Sequence, residues 1–303
     1  MLLLADEAHG THFYFGEGLP VSAMAAGADM AAVGMHKSGG SLTQSSILLS
    51  GPEIDPGYLR QVINLTQTTS GSYLLISSLD IARRELALRG KETCRRIMDL
   101  ASYARKEINR IGDYYAYGRE LKNGDTVYDF DTTKLSVYTL DTGLAGIEVY
   151  RILRDEYDIQ VEFGDLANIL AYVSSGNREL EIEQLVGALA DIRRRFRKEK
   201  TDLLGQEYID PEVEMTPQEA FYAPRESLPL EDTEGRVCAE FVMCYPPGIP
   251  AVAPGEKITR KILDYIRYAF QKGCSLTGPA DLSLRRLNVV RQKAWKGAKS
   301  CLI

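Results

Sequence analysis

MLLLADEAHGTHF, residues 1–13, runs from three leucines into an acidic pair, Asp6 and Glu7, followed by a small residue and a histidine. A short, continuously apolar run reads as a buried strand, here residues 2–4. A carboxylate just past such a strand stands where open α/β sheets place their chemistry. Two readings meet at Asp6. The letters DEAH are the signature of a helicase metal-binding strand, and they serve equally as a cofactor anchor. The helicase reading requires an upstream G-x-x-x-x-G-K-[ST] loop, because its carboxylates hold a metal bound to nucleotide phosphates. No such loop precedes residue 6, and the Gly90-Lys91 pair is followed by Glu92 and lacks the first glycine. The four letters by themselves therefore carry little weight. Met1 leads straight into the apolar run with no capping segment, so the chain reads as though it starts inside a domain.

The bulk properties narrow the classes. A chain of 303 residues has room for about two to three domains. Its 45% hydrophobic and 26% charged residues are an ordinary globular composition. A net charge of −6 argues against a nucleic acid or an anionic membrane as partner. No apolar run approaches the roughly 20 residues that span a bilayer, and no basic stretch precedes a long apolar one as in a signal peptide. Five scattered cysteines, Cys94, Cys238, Cys244, Cys274 and Cys301, show no C-x-x-C spacing. That usage fits a reducing cytoplasm and no structural zinc.

Further along, residues 20–27 read as a short helix, 30–35 and 45–50 as strands, and HKSGGS from His36 as a glycine-rich loop. A helix is expected from Pro56, a polar break over TQTTSGS at 66–72, and two helices over about 73–89 and 91–111. TVYDFD and KLSVYTLD alternate like half-buried strands, and helix, two strands and a long helix over 179–200 follow. Past about residue 205, prolines accumulate and a loop-rich segment carries one clear helix near 257–272. Three segments result: 1–112, 113–205 and 206–303.

AAVGMHKSGGSLTQSS, from Ala31, is the second informative stretch. A lone lysine is usually a solvated surface charge. Lys37 stands at a strand-to-loop boundary instead, and a protected lysine can lose its proton and attack a carbonyl, forming a Schiff base. All three histidines, His9, His12 and His36, fall in the first 36 residues.

With DEAHG, HK-x-GGSLTQSS, GLAGIEVYRILRDEYDIQVEFGDLANILAYVSSGN and the string YPPGIPAVAPGE in order, the chain resembles the bacterial arginine/lysine/ornithine decarboxylases of the aspartate aminotransferase (fold-type I) class. The resemblance covers nearly the whole chain. It implies an α/β fold: a partial fold-type I large domain over 1–112, a small α+β domain over 113–205 and a C-terminal decarboxylase-family domain over 206–303. It also implies pyridoxal 5'-phosphate as cofactor. By resemblance Asp6 pairs with the pyridine nitrogen, Ala8 packs against a ring face, His9 lies beside the ring hydroxyl, His36 lies near the phosphate and Lys37 is the Schiff-base lysine. Thr68 and Thr69 reach the phosphate of a neighbouring subunit's cofactor, which makes the site one shared between two chains of a homodimer or higher oligomer. The basic run RRRFRKEK at 193–200 closes a helix, where cations complement the dipole, and reads as a solvated face. No metal, nucleic acid or membrane is implied.

Two departures stand out. Members of the family often carry Ser-Thr before His-Lys, where this chain has Gly34 and Met35. The family's large domain also begins well before this first strand, so a fragment, or a split gene whose second chain completes the site, is expected. The activity implied is α-decarboxylation of a basic amino acid to its amine and CO2, in polyamine biosynthesis. Glu226, Glu231 and Asp232 are candidate partners for the substrate's cationic tail. The alternatives are another fold-type I reaction such as transamination, and a non-catalytic subunit needing a partner chain.

Overall fold

Parallel pairing at the N-terminus organises everything near Asp6. A computed structural model describes residues 1–199, 209–245 and 248–292. Pro246 and Pro247 of the YPPGIP string, Lys200, Trp295 and Cys301 lie outside the described residues. Strand β1 (Leu4–Glu7) pairs in parallel with β2 (Met30–Val33), aligning Asp6 with Ala32 and Glu7 with Val33. A single helical turn, α1 (Met35–Ser38), follows β2 at once. Strand β3 (Ile47–Ser50) then returns antiparallel to β2, giving a three-stranded sheet in the order β1-β2-β3. Helix α2 (Pro56–Thr66) starts where Asp55 accepts the Gly57 N–H at 2.9 Å and Pro56 fills the first helical position. Helix α3 (Tyr73–Ile111) runs for 39 residues.

Beyond it come β4 (Tyr115–Ala116), β5 (Lys134–Tyr138), α4 (Gly146–Tyr157), β6 (Phe163–Gly164), β7 (Asn168–Tyr172) and α5 (Glu179–Phe196). Their strands form one sheet in the order β4-β5-β7-β6. The remaining elements are α6 (Pro217–Tyr222), β8 (Arg225–Pro229), β9 (Val242–Tyr245), β10 (Ile249–Val252), α7 (Arg260–Gln271), β11 (Ser275–Thr277) and β12 (Arg286–Val290). Here β9 is flanked by antiparallel β10 and β11, and β12 pairs antiparallel with β8. Two compact units result. The first holds Met1–Arg110, Ala116–Leu135 and Tyr172–Gly187; the second holds Ile111–Tyr115, Ser136–Ala171 and the described residues of Ala188–Ile303. A core of the second unit gathers Val242, Val252, Ile258, Ile262, Ile266 and Val289 between α7 and the strands.

Several sequence expectations are corrected. The first strand lies over Leu4–Glu7, at the edge of its sheet among the described residues, and Leu2 and Leu3, ahead of it, are exposed along with Leu4. No helix forms over residues 20–27; residues 23–27 make a turn, closed by Gly27 at φ +94°. The HKSGGS stretch begins as a helical turn, fastened by the Gly39 N–H on the Met35 carbonyl at 2.9 Å. Residues 126–131 are not a strand: the Asn123 side chain accepts from the N–H groups of residues 125, 126 and 127 and turns the chain locally.

The two helices expected over 73–89 and 91–111 are one. Gly90 sits inside it, buried, because Phe15 packs where a side chain would go; a Cβ at Gly90 would stand 2.7 Å from the Phe15 Cβ. Gly90→Ala is therefore expected to lower stability by about 1–2 kcal/mol despite its better helix propensity. Gly187→Ala, in α5 with nothing within 4 Å of the added methyl, should be neutral or stabilising by up to about 1 kcal/mol. Urea unfolding of the two variants checks the contrast.

Candidate active site

The alternation of β1 splits the acidic pair. Asp6 is exposed and its Oδ1 accepts the Ala8 N–H at 3.0 Å. Glu7 points the other way and accepts from the Tyr14 hydroxyl at 2.5 Å and the Ala23 N–H at 2.7 Å. Burial, and then the Glu7 carboxylate beside it, push the Tyr14 hydroxyl up to about 12. Glu7 thus ties the segment after β1 to the turn at residue 23, a role that a reading of DEAH as one motif did not find.

On the neighbouring strand, β2 delivers Lys37 through Gly34 and the single turn of α1. The departure at Gly34 has a steric reason: a Cβ there would lie 2.3 Å from the Ala8 carbonyl oxygen. The Gly34 carbonyl in turn accepts from the buried Thr11 hydroxyl at 3.1 Å. Met35 is 2% exposed and packs with Ala82 and Leu86 of α3, where a threonine would leave a hydroxyl in apolar surroundings. With Met35 fixed inward, Lys37 projects outward and is exposed.

Lys37 Nζ lies 3.3 Å from His9 Nε2. These two are the expected site residues that the structure joins directly. Ala8 and Gly34 meet through the backbone contact just described. Asp6 and Lys37 share no hydrogen bond or ion pair among the described residues, although Asp6 lies near the C-terminal end of β1 and Lys37 in the helical turn that follows the C-terminal end of the parallel β2. His36 turns to Ser45, whose carbonyl accepts from both its backbone N–H, at 3.2 Å, and its Nδ1, at 2.9 Å. Thr68 and Thr69 stand exposed between α2 and α3, and Thr68 Oγ1 accepts the Ser70 N–H at 3.2 Å. Glu226 and Glu231 are held by Arg236 and Arg267.

Behind His9 lies a cluster that sequence reasoning missed. His12 is 4% exposed, and its Nε2 donates to Asp131 Oδ2 at 2.9 Å. Lys134 Nζ donates to the same oxygen at 2.8 Å, and the Thr133 hydroxyl donates to Oδ1 at 2.7 Å. Burial pushes the Asp131 carboxyl up, but the hydrogen bond and charge of His12, with Lys134, outweigh it and hold the group well below the carboxylate range. The only cue in the sequence was the crowding of histidines near the N-terminus; Asp131 lies 119 residues from His12. Among the described residues no group of three or more His, Cys, Asp or Glu is placed to hold a metal, and no helix is long and apolar enough to cross a membrane.

The fold has known relatives. The lysine decarboxylase of Francisella novicida superposes with a TM-score of 0.73 at 19% identity, covering 95% of this chain and 53% of that one. Lysine decarboxylase A of Pseudomonas aeruginosa superposes with a TM-score of 0.72 at 19% identity, covering 96% of this chain and 53% of that one. This is the mixed α/β fold of the fold-type I class. The sequence profile described as "Orn/Lys/Arg decarboxylase, major domain" matches residues 1–136, and the one described as "Orn/Lys/Arg decarboxylase, C-terminal domain" matches 199–278. The chain belongs to the Orn/Lys/Arg decarboxylase family. Proteins named arginine decarboxylase from Bacillus anthracis and Halalkalibacterium halodurans are 42% and 44% identical to it over 294 residues, 96% of this chain. The chain spans about 60% of the length of these curated relatives.

The depressed Asp131 carboxyl makes a pH-dependent contribution to stability. Its folded value lies below that of the unfolded chain, so between the two the unfolded state binds more protons. The contribution is fully present above about pH 4 and is lost as pH falls through the folded value. Asp131→Asn is expected to cost about 2–4 kcal/mol at neutral pH and to flatten the loss of stability below about pH 4. Thermal unfolding at stepped pH measures both.

Proposed function

We propose that this chain carries the lysine and the ring-nitrogen carboxylate of a pyridoxal 5'-phosphate-dependent decarboxylase acting on a basic amino acid. Arginine is the first substrate to test, since the relatives at 42–44% identity carry that name. The observation that supports it is that Asp6 lies near the end of β1 and Lys37 in the turn just past the same end of the adjacent parallel β2. The residues present fit the cofactor: a carboxylate, an amine, the small Ala8, and a backbone approach at Gly34 that any side chain would close. Segments 1–112, 113–205 and 206–303 would act as partial large domain, small domain and C-terminal domain.

When bound, the cofactor supplies the electron sink that lets the α-carboxylate leave as CO2. Asp6, which is exposed, would hold the ring nitrogen and favour its protonated form through opposite charge. Ala8, with its small side chain, would leave room for the ring. His9 would serve the ring hydroxyl, and its Nε2, 3.3 Å from Lys37 Nζ, holds the amine in place. Lys37 would hold the cofactor through its side-chain amine and would be the group that carries a proton at Nζ. His36, fixed on Ser45, would serve the phosphate. A cytoplasmic location and a part in polyamine biosynthesis belong to the same reading.

Two chains would share the site through Thr68 and Thr69. Helix α2 has no buried residue, and Leu65, Tyr73 and Leu74 beside this loop are 77–87% exposed. Apolar surface of that kind marks an interface. Leu65→Asp with Leu74→Asp should convert a dimer into a monomer in sedimentation. A second reading, a chain that completes its site only with a partner chain, draws support from the exposure of Asp6, Lys37 and Leu2.

Pyridoxal 5'-phosphate added to the pure chain should give a visible absorbance band, and borohydride should fix the label on Lys37. Lys37→Ala should abolish both. Release of labelled CO2 from arginine, lysine or ornithine then ranks the substrates, and Asp6→Asn should slow release by about a hundredfold or more. Labelling elsewhere, or none, would overturn the proposal; labelling without CO2 release would favour the partner-chain reading.

A further inference from the structure

Contacts around His9 form a closed circuit within the first unit. The His9 ring meets the Tyr172 ring edge-on, with centroids 5.9 Å apart and planes at 89°. Lys134 Nζ sits 3.8 Å above the centre of the Tyr172 ring. The same ammonium donates to Asp131, and Asp131 accepts from His12. His12 is three residues from His9, at the start of the 3-10 turn Thr11–Tyr14. The circuit therefore returns to the peptide it left. Its members come from three separate stretches of chain: residues 9–12, 131–134 and 172.

Each link has a physical reason to hold. A cation over an aromatic face is attracted by the ring quadrupole, more strongly where water is partly excluded, and the Lys134 side chain is 18% exposed. An edge-on aromatic pair has a preferred angle, which fixes a plane as well as a distance. The His12 ring is buried with Nδ1 unpartnered among the described residues, and Nε2 is the nitrogen through which it is anchored. Asp131 gathers His12, Lys134 and Thr133 on its two oxygens and so sets where the ammonium stands.

We propose that Tyr172 and Lys134 are positioning residues for His9: the charged ring stack sets the plane of the imidazole and thereby holds Nε2 against the Lys37 amine. Neither residue needs to touch the substrate. The inference rests on the proposed role of Lys37, and two readouts separate their fates.

The first uses no cofactor. NMR of the full chain follows the imidazole ring protons of the three histidines, with His9 identified by its loss in His9→Gln. In Tyr172→Leu and Lys134→Met the His9 resonances should shift while those of His36 stay. The second is the rate at which Lys37 is labelled by pyridoxal 5'-phosphate and borohydride. That rate should fall roughly three- to tenfold in both variants, with labelling of surface lysines unchanged. Lys134→Arg should restore it to within about twofold of the original, because a guanidinium also stacks on an aromatic face. Thermal melts identify poorly folded variants, and Lys134→Gln replaces Lys134→Met if needed. Unchanged His9 resonances, or equal labelling rates in folded variants, would overturn the inference. Absence of any labelling at Lys37 in the unmutated chain would overturn the proposed function, and the His9 resonances would then decide the positioning of the ring alone.

Discussion

The parallel pairing of β1 with β2 is the constraint on which the candidate site depends. Parallel neighbours end on the same side, so the residue at the end of one strand and the turn after the other are brought to one edge. The carboxylate of Asp6 and the amine of Lys37 come from positions 31 residues apart, yet nothing more than a four-residue ladder is needed to bring their backbones together. Each strand is short, so the alignment relies on what is packed beneath it. Met35 is that support: buried against α3, it turns the following lysine outward.

Close backbone approach is the second theme. The carbonyl of Ala8 occupies the space that a side chain at Gly34 would take, and Phe15 occupies the space that one at Gly90 would take. Both contacts press the segment after β1 onto its neighbours. Glu7 adds its hydrogen bonds to Tyr14 and Ala23. The loop carrying Ala8 and His9 is thus held from several sides. A side chain that orients a reacting group must itself be held to within fractions of an ångström.

Much of the local structure was legible in the chain. Strands β2 and β3, the start of α2 at Pro56 and the helical stretch over 91–111 follow from periodicity. Misreadings came where a local signal was outweighed or an unseen one competed. Gly90 reads as a break, but helix continuity with Phe15 packed at the gap prevails over its propensity. TVYDFD alternates like a strand, but the Asn123 side chain takes up the N–H groups of the turn leading into it. Residues 2–4 look buried because they are leucines, but Leu2 and Leu3 precede the first strand and Leu4 opens it at the sheet edge, and all three are exposed.

The sequence by itself determined the chemistry on offer and its spacing: an acidic pair at a strand end, a His-Lys pair after the next strand, and ordered motifs that identify the family. It did so because these features are local, carried by residues within a few positions of one another. Which groups support Lys37 was decided only by the tertiary structure. His12, Asp131, Lys134 and Tyr172 meet through loops and strands that are distant in sequence. No periodicity encodes such a meeting, because it depends on how strands and turns far apart in the chain pack together in space.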